Sequence, residues 1–296
     1  MSKHHRRAGD GAFGLLARAD RTRLNAGQRT LAAVVVAAAL VIGVWLAAML
    51  MSDEPLNTRL ELRNAAPTAE HPFGTDWLGR DMFTRTIKGL GLSINVGMTA
   101  AAASVAIAAV MGLAAATLGK AADRLIGWLI DLFLSVPHLV TLILIAFVFG
   151  GGMKGVIVGI SLTHWPSLAR VIRVEVLQLR TADYVAVSRR LGRSRWWTAT
   201  RHMLPHLVPQ LVTGLLLVFP HAILHEAAIT YIGLGLSPHQ PAIGILLSES
   251  MRYLSTGMWW LAFFPGLCLL IVVRCFDTAG EQIRRLLDPR TKHESP

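Results

Sequence analysis

Residues 31–51 read LAAVVVAAALVIGVWLAAMLM, a run with neither a charge nor a proline. About 20 such residues, each rising about 1.5 Å, match a hydrocarbon core of roughly 30 Å, so the run predicts a membrane-crossing helix. It follows a polar, Arg-rich tail and is too long for the apolar region of a secretory signal, so it reads as a true first span. Five more apolar runs follow, at 90–119, 125–149, 155–177, 207–232 and 254–273. The predicted fold is all-α, a polytopic membrane protein of six transmembrane helices. Composition agrees: 53% of residues are hydrophobic, 16% are charged and mean hydropathy is +0.49, against about 25% charged in soluble domains.

The few charges are mostly basic, giving a formal net charge of +11. A basic chain also suits nucleic acid. That reading is excluded here because the basic residues sit between apolar spans rather than along one soluble face. Lys3, Arg6, Arg7, Arg18, Arg21, Arg23 and Arg29 precede the first span, and Arg180, Arg189, Arg190, Arg193, Arg195 and Arg201 fill the loop at 178–206. Arg274, Arg284, Arg285, Arg290 and Lys292 follow the last span, whereas the short loops of the opposite side offer Lys154 and Arg252. The positive-inside rule then puts both termini and the 178–206 loop in the cytoplasm. The expected organisation is a basic tail (1–29), a first helix (30–51), an external segment (52–89), a five-helix core (90–285) and a closing tail (286–296).

No sequence pattern supports catalysis or phosphate binding. A G-x-x-x-x-G-K-[ST] loop is missing, and His225-Glu226 opens an H-E-x-x-H pattern that fails at Ile229. No metal ligands are assigned, and no cofactor is expected on this chain. Pro137, Pro166, Pro209, Pro220 and Pro265 lie within spans, where each removes a backbone donor and bends or breaks its helix. Small residues crowd the second span at 100–103 and 112–116, which permits close helix approach. His138, His164, His221 and His225 lie in apolar runs, where polar groups usually face the bundle or a cavity. His221 and His225, four apart, share a helix face. With Glu226 they are candidates for a translocation path, against the blander reading of hydrogen bonds to neighbouring helices.

The 178–206 loop is too long for a tight connection, and its centre reads helical up to Gly192, which fits a helix stop. A short helix with an apolar and aromatic face, held on two membrane helices, suits either a protein partner or the lipid headgroup region. Its spacing decides more. Tyr184 to Gly192, followed by His202-Met-Leu-Pro205, resembles the cytoplasmic "EAA" loop of ABC-importer permeases, E-A-A-x-x-x-G and then I-x-L-P. Ala186, Val187 and Ser188 take the E-A-A places and His202 the isoleucine, while Gly192, Leu204 and Pro205 match. His71-Pro-Phe-Gly-Thr-Asp-Trp-Leu-Gly-Arg-Asp81 resembles the signature ahead of the second span in dipeptide, oligopeptide and nickel importer permeases, in the form carried by the C-type subunit. Glu226 to Gly235 and the closing Leu287-Asp-Pro-Arg290 resemble the same family.

That resemblance implies half of a heterodimeric pore in the bacterial cytoplasmic membrane, working by alternating access. It implies a homologous second permease, two cytoplasmic ATPases that hold ATP and Mg, and an external substrate-binding protein. Tyr184, Ala186, Val187, Ser188, Arg189, Leu191, Gly192, Leu204 and Pro205 are then the expected ATPase-coupling residues. Asp76, Gly79, Arg80 and Asp81 are the external signature, expected to order their segment through charge pairs and turns. Small peptides are the leading cargo, with nickel or a metal chelate as the alternative. An ion-coupled secondary transporter is the reading from another class, and it lacks the internal repeat such transporters show.

Overall fold

A computed structural model describes residues 32–287. The basic residues expected before the first span, and Asp288, Pro289 and Arg290 of the closing signature, lie outside the described residues, as do the side chains of Arg189 and Arg195. Within them the chain is helical, with no strand beyond an isolated bridge between Thr75 and Asp81. The long elements are α1 (Ala32–Leu50), α2 (Met82–Thr117), α3 (Lys120–Ser135), α4 (His138–Val148) and α5 (Gly152–Leu179). Two short helices, α6 (Asp183–Arg190) and α7 (Arg195–Thr198), and a π turn (Ala199–Met203) lead into α8 (Leu204–Tyr231), α9 (Ile243–Leu254) and α10 (Trp260–Leu287). Among the described residues five helices are long and apolar enough to cross a membrane, or six spans if α3 and α4 count as one.

Three elements depart from the expected runs. α2 starts at Met82 rather than Leu90, because the Asp81 carboxylate caps it, accepting from the Thr84 amide and hydroxyl at 2.7 Å each. The run at 125–149 is two helices bent by 102°. The break is at Val136-Pro137, where Val136 is extended (φ −94°, ψ 141°), as the residue before a proline tends to be. The last run yields α10 only from Trp260, and α9 ahead of it is a helix that the apolar runs did not mark, carrying Glu249 and Arg252.

Between lipid-exposed helices there is little hydrophobic drive, so close fit does the holding. α2 packs most extensively on α5. A Cβ at Gly112 would fall 2.7 Å from Ile172 Cγ2, so the two helices approach as closely as glycine permits. Pro265 leaves the carbonyl of Leu261 without its helical partner, and the Ser250 hydroxyl of α9 donates to that carbonyl at 2.8 Å. Two buried apolar clusters fill the bundle. One gathers Leu90, Ile160, Phe219, Ile223 and Leu246; the other gathers Ala108, Ile126, Trp165, Ile172, Met203 and Leu207. They occupy opposite halves of α2, α5 and α8.

Candidate functional site

Three features stand out, and α2 spaces two of them. Its 36 residues extend about 54 Å at 1.5 Å each. The segment at 51–81 covers its start, and the 178–206 loop meets its end, where the Arg180 guanidinium donates to the Ala116 carbonyl.

At the first end a charge network folds the segment before α2. Asp76, 3% exposed, accepts from the amides of Leu78 and Arg80 at 2.9 Å, from Arg80 Nε at 2.7 Å and from Arg85 at 2.6 Å. Arg85, equally buried, also donates to Glu249 of α9 at 2.9 Å. Asp81 pairs with His71 Nδ1 at 2.9 Å besides capping α2. Gly79 has φ +72°, and a Cβ there would overlap the carbonyl of Arg59 at 1.8 Å. The structure therefore joins Asp76, Gly79, Arg80 and Asp81 in one folded cap. Glu249, which bridges this cap to α9, was missed by sequence reasoning; only its place as an acid beside an apolar run could have pointed to it.

At the other end α6 stops as its spacing predicts. Gly192 takes φ +78°, and the Arg193 amide donates to the Ser188 carbonyl at 3.2 Å, closing the helix in a Schellman turn. Val185 is fully buried against the core and anchors α6. His202, at the isoleucine place, lies 3.0 Å from Ser188 Oγ through Nε2 and packs edge-on to Tyr184 and Trp197, so it ties α6 to the π turn. Tyr184 also stacks on His206, and the Arg193 guanidinium sits 4.7 Å above the Trp197 ring. Pro205 occupies the first turn of α8, where its missing donor costs nothing. Large apolar side chains face outward here, Leu191 at 76% exposed, Trp196 at 73% and Val187 at 54%, interleaved with exposed Arg190 and Arg193. Ala186 is exposed beside them.

Between the two ends, a cavity of about 630 Å³ opens among α3–α4, α5, α8 and the end of α10. His138, His164, His221 and His225 line it, with Thr163, Gln210 and Arg284. His221 and His225 thus reach the cavity together. Glu226 does not: it is fully buried and accepts from Thr230 at 2.9 Å. One helical residue turns the side chain by about 100°, which carries position 226 off the face of position 225. The addition of His138 and His164 to this group was beyond the sequence, because they come from separate helices.

Residues 104–293 match the family described as binding-protein-dependent transport system inner membrane component. The chain belongs to that family. This inner membrane transport component is 34% identical over 254 residues to a Brucella abortus protein named as a peptide transport system permease, spanning 86% of this chain and 85% of that one. It is 30% identical over 230 residues to the dipeptide transport system permease protein DppC of Bacillus subtilis, spanning 78% and 72% of the two chains. Its fold is similar to that in inward-facing structures of the MetNI methionine ABC transporter, with a TM-score of 0.56 at 18% identity over 70% of this chain and 98% of that one. The permease resemblance read from residues 71–290 and the family assignment agree.

Proposed function

We propose that this permease is one half of the pore of an ATP-driven importer, moving di- or oligopeptides from an external binding protein to the cytoplasm by alternating access. The observation that carries the reading is the α6 knob. It is fixed from below by Val185 and His202 and presents Leu191, Trp196 and Val187 outward, exposed among the described residues. Exposed apolar and aromatic side chains on a rigid helix are what a partner's groove would take up. Two cytoplasmic ATPases, each taking one permease's knob, are the partners of fitting chemistry, with ATP and Mg held by them. Both termini and the knob then face the cytoplasm, the cap at 51–81 faces outward toward the binding protein, and a homologous permease completes the pore. The cavity lined by His221 and His225 lies on the path, and the names of the relatives favour peptide over nickel as cargo.

The test reconstitutes the permease with its partner permease, ATPases and binding protein in proteoliposomes. Gly192→Trp forces a β-carbon into the left-handed region, at a cost of about 1–2 kcal/mol, and sets a bulky ring beside the docking face. Membrane insertion is expected to persist while ATP-dependent dipeptide uptake falls by about tenfold or more, as loss of ~1.4 kcal/mol of docking energy would require. Uptake at the unaltered rate would remove the docking role. Nickel accumulation in place of dipeptide would overturn the cargo.

A further inference from the structure

The cavity wall holds a constellation that peptide transport does not call for. The rings of His138 (α4), His164 (α5) and His225 (α8) meet with centroids 4.5, 4.7 and 5.1 Å apart, each pair steeply inclined. One ring nitrogen from each lies within 4.8 Å of the other two. Two of the rings have their tautomer set by the backbone. His164 Nδ1 is 3.1 Å from the carbonyl of Ile160, and His225 Nδ1 is 2.6 Å from the carbonyl of His221. A carbonyl can only accept, so Nδ1 donates and Nε2 keeps its lone pair free. This backbone-oriented imidazole is the arrangement that metal-ligating histidines adopt. His138 Nε2 is buried without a hydrogen-bond partner among the described residues.

We propose that His138, His164 and His225 form a binding site for a divalent transition metal ion of the Zn(II), Ni(II) or Cu(II) class. Three neutral imidazoles, with no carboxylate lining the cavity among the described residues, suit these ions and not Mg(II) or Ca(II), which take oxygen ligands. At metal–nitrogen distances of about 2.0–2.1 Å, tetrahedral ligands stand roughly 3.4 Å apart. The three rings therefore close on an ion by side-chain rotation. The remaining coordination position opens to the cavity, where water or the amine and carbonyl of a passing peptide completes it. A bound ion would also link α4, α5 and α8, so its occupancy would hold the cavity in one shape. The site stands on geometry alone and does not depend on the cargo proposed above.

The test uses the assembled, tag-free transporter in lipid nanodiscs, with Zn(II) as the probe, presented alone or with glycylglycine. One high-affinity equivalent per copy of this chain is expected. His138→Asn, His164→Asn and His225→Asn should each weaken it by at least about 100-fold, the upper end of what losing an outer-shell partner costs. Asparagine keeps a donor near the Nδ1 position while deleting Nε2. His239→Asn, in an exposed loop, should leave the affinity unchanged. X-ray absorption on the wild type should count three imidazole ligands, a readout that needs no variant to assemble. Binding of Zn(II) alone assigns the site to the free ion; binding only with glycylglycine assigns it to a metal-bearing peptide. No bound zinc in either arm, fewer than three imidazoles in the absorption spectrum, or wild-type affinity in any of the three variants would overturn the proposal.

Discussion

Arg85 shows what a single side chain must settle before α2 can begin where it does. Its guanidinium is 3% exposed and divides its donors between Asp76 at 2.6 Å and Glu249 at 2.9 Å. A charge taken out of water is stable only when partnered, and removing one partner of a buried pair costs about 3–5 kcal/mol. Asp76→Ala is therefore expected to destabilise the purified protein by about that amount, because it also strips the acceptor from the amides of Leu78 and Arg80. Thermal melting in detergent checks this, and an unchanged Tm would mean that Glu249 and water suffice for Arg85. The same pairing explains why the second apolar run starts later than the helix. Arg85 and Lys88 look like loop residues until Asp76, Glu249 and Asp53 are seen to neutralise them.

Among the elements, the α3–α4 pair holds the largest departure from a simple bundle. The 102° bend comes at a serine, a valine and a proline. Pro137→Ala lifts the steric bias that keeps Val136 extended, so a straighter α3–α4 should become populated. Spin labels at the exposed positions 125 and 144 would then show a distance component growing toward about 28 Å, the length of 19 residues of continuous helix. Identical distance distributions in the two proteins would shift the cause of the bend from the proline to the packing of α4 on α5. In this region the sequence was readable only in part. The apolar run at 125–149 marked the membrane segment, and Pro137 marked a disturbance, but a kink and a sharp break carry the same residues. The choice rests on packing against α5, a contact between distant parts of the chain. The α6 stop was readable for the opposite reason: Gly192 and the helix it ends are local, and φ +78° is what such a glycine supplies. The histidine cluster divides along the same line. His221 and His225 share a face by spacing, while His138 and His164 join them only through tertiary structure.

The described residues pack into two apolar clusters with a waist between them that holds the cavity. The two apolar clusters divide α5 between Ile160 and Trp165 and α8 between Leu207 and Phe219, and the cavity lies across that division. α8 has internal prolines at 209 and 220, so its amide ladder is interrupted at either side of this zone. Hydrogen exchange in nanodiscs should be faster for amides at 210–218 than for those at 222–230 in the same helix. Uniform protection along α8 would argue against a waist that yields as the cavity opens and closes.

α2 is capped by Asp81 at one end and held by Arg180 near the other, so the cap at 51–81 and the α6 loop hang on a single rod. A hydrocarbon layer of roughly 30 Å covers little more than half of that rod, and the surplus stands in the headgroups or beyond them. Lipids with longer or shorter acyl chains would slide along it without altering the spacing of its ends. The separation of the cap from the α6 loop is therefore set by helix geometry, independent of how thick a membrane the cell happens to make.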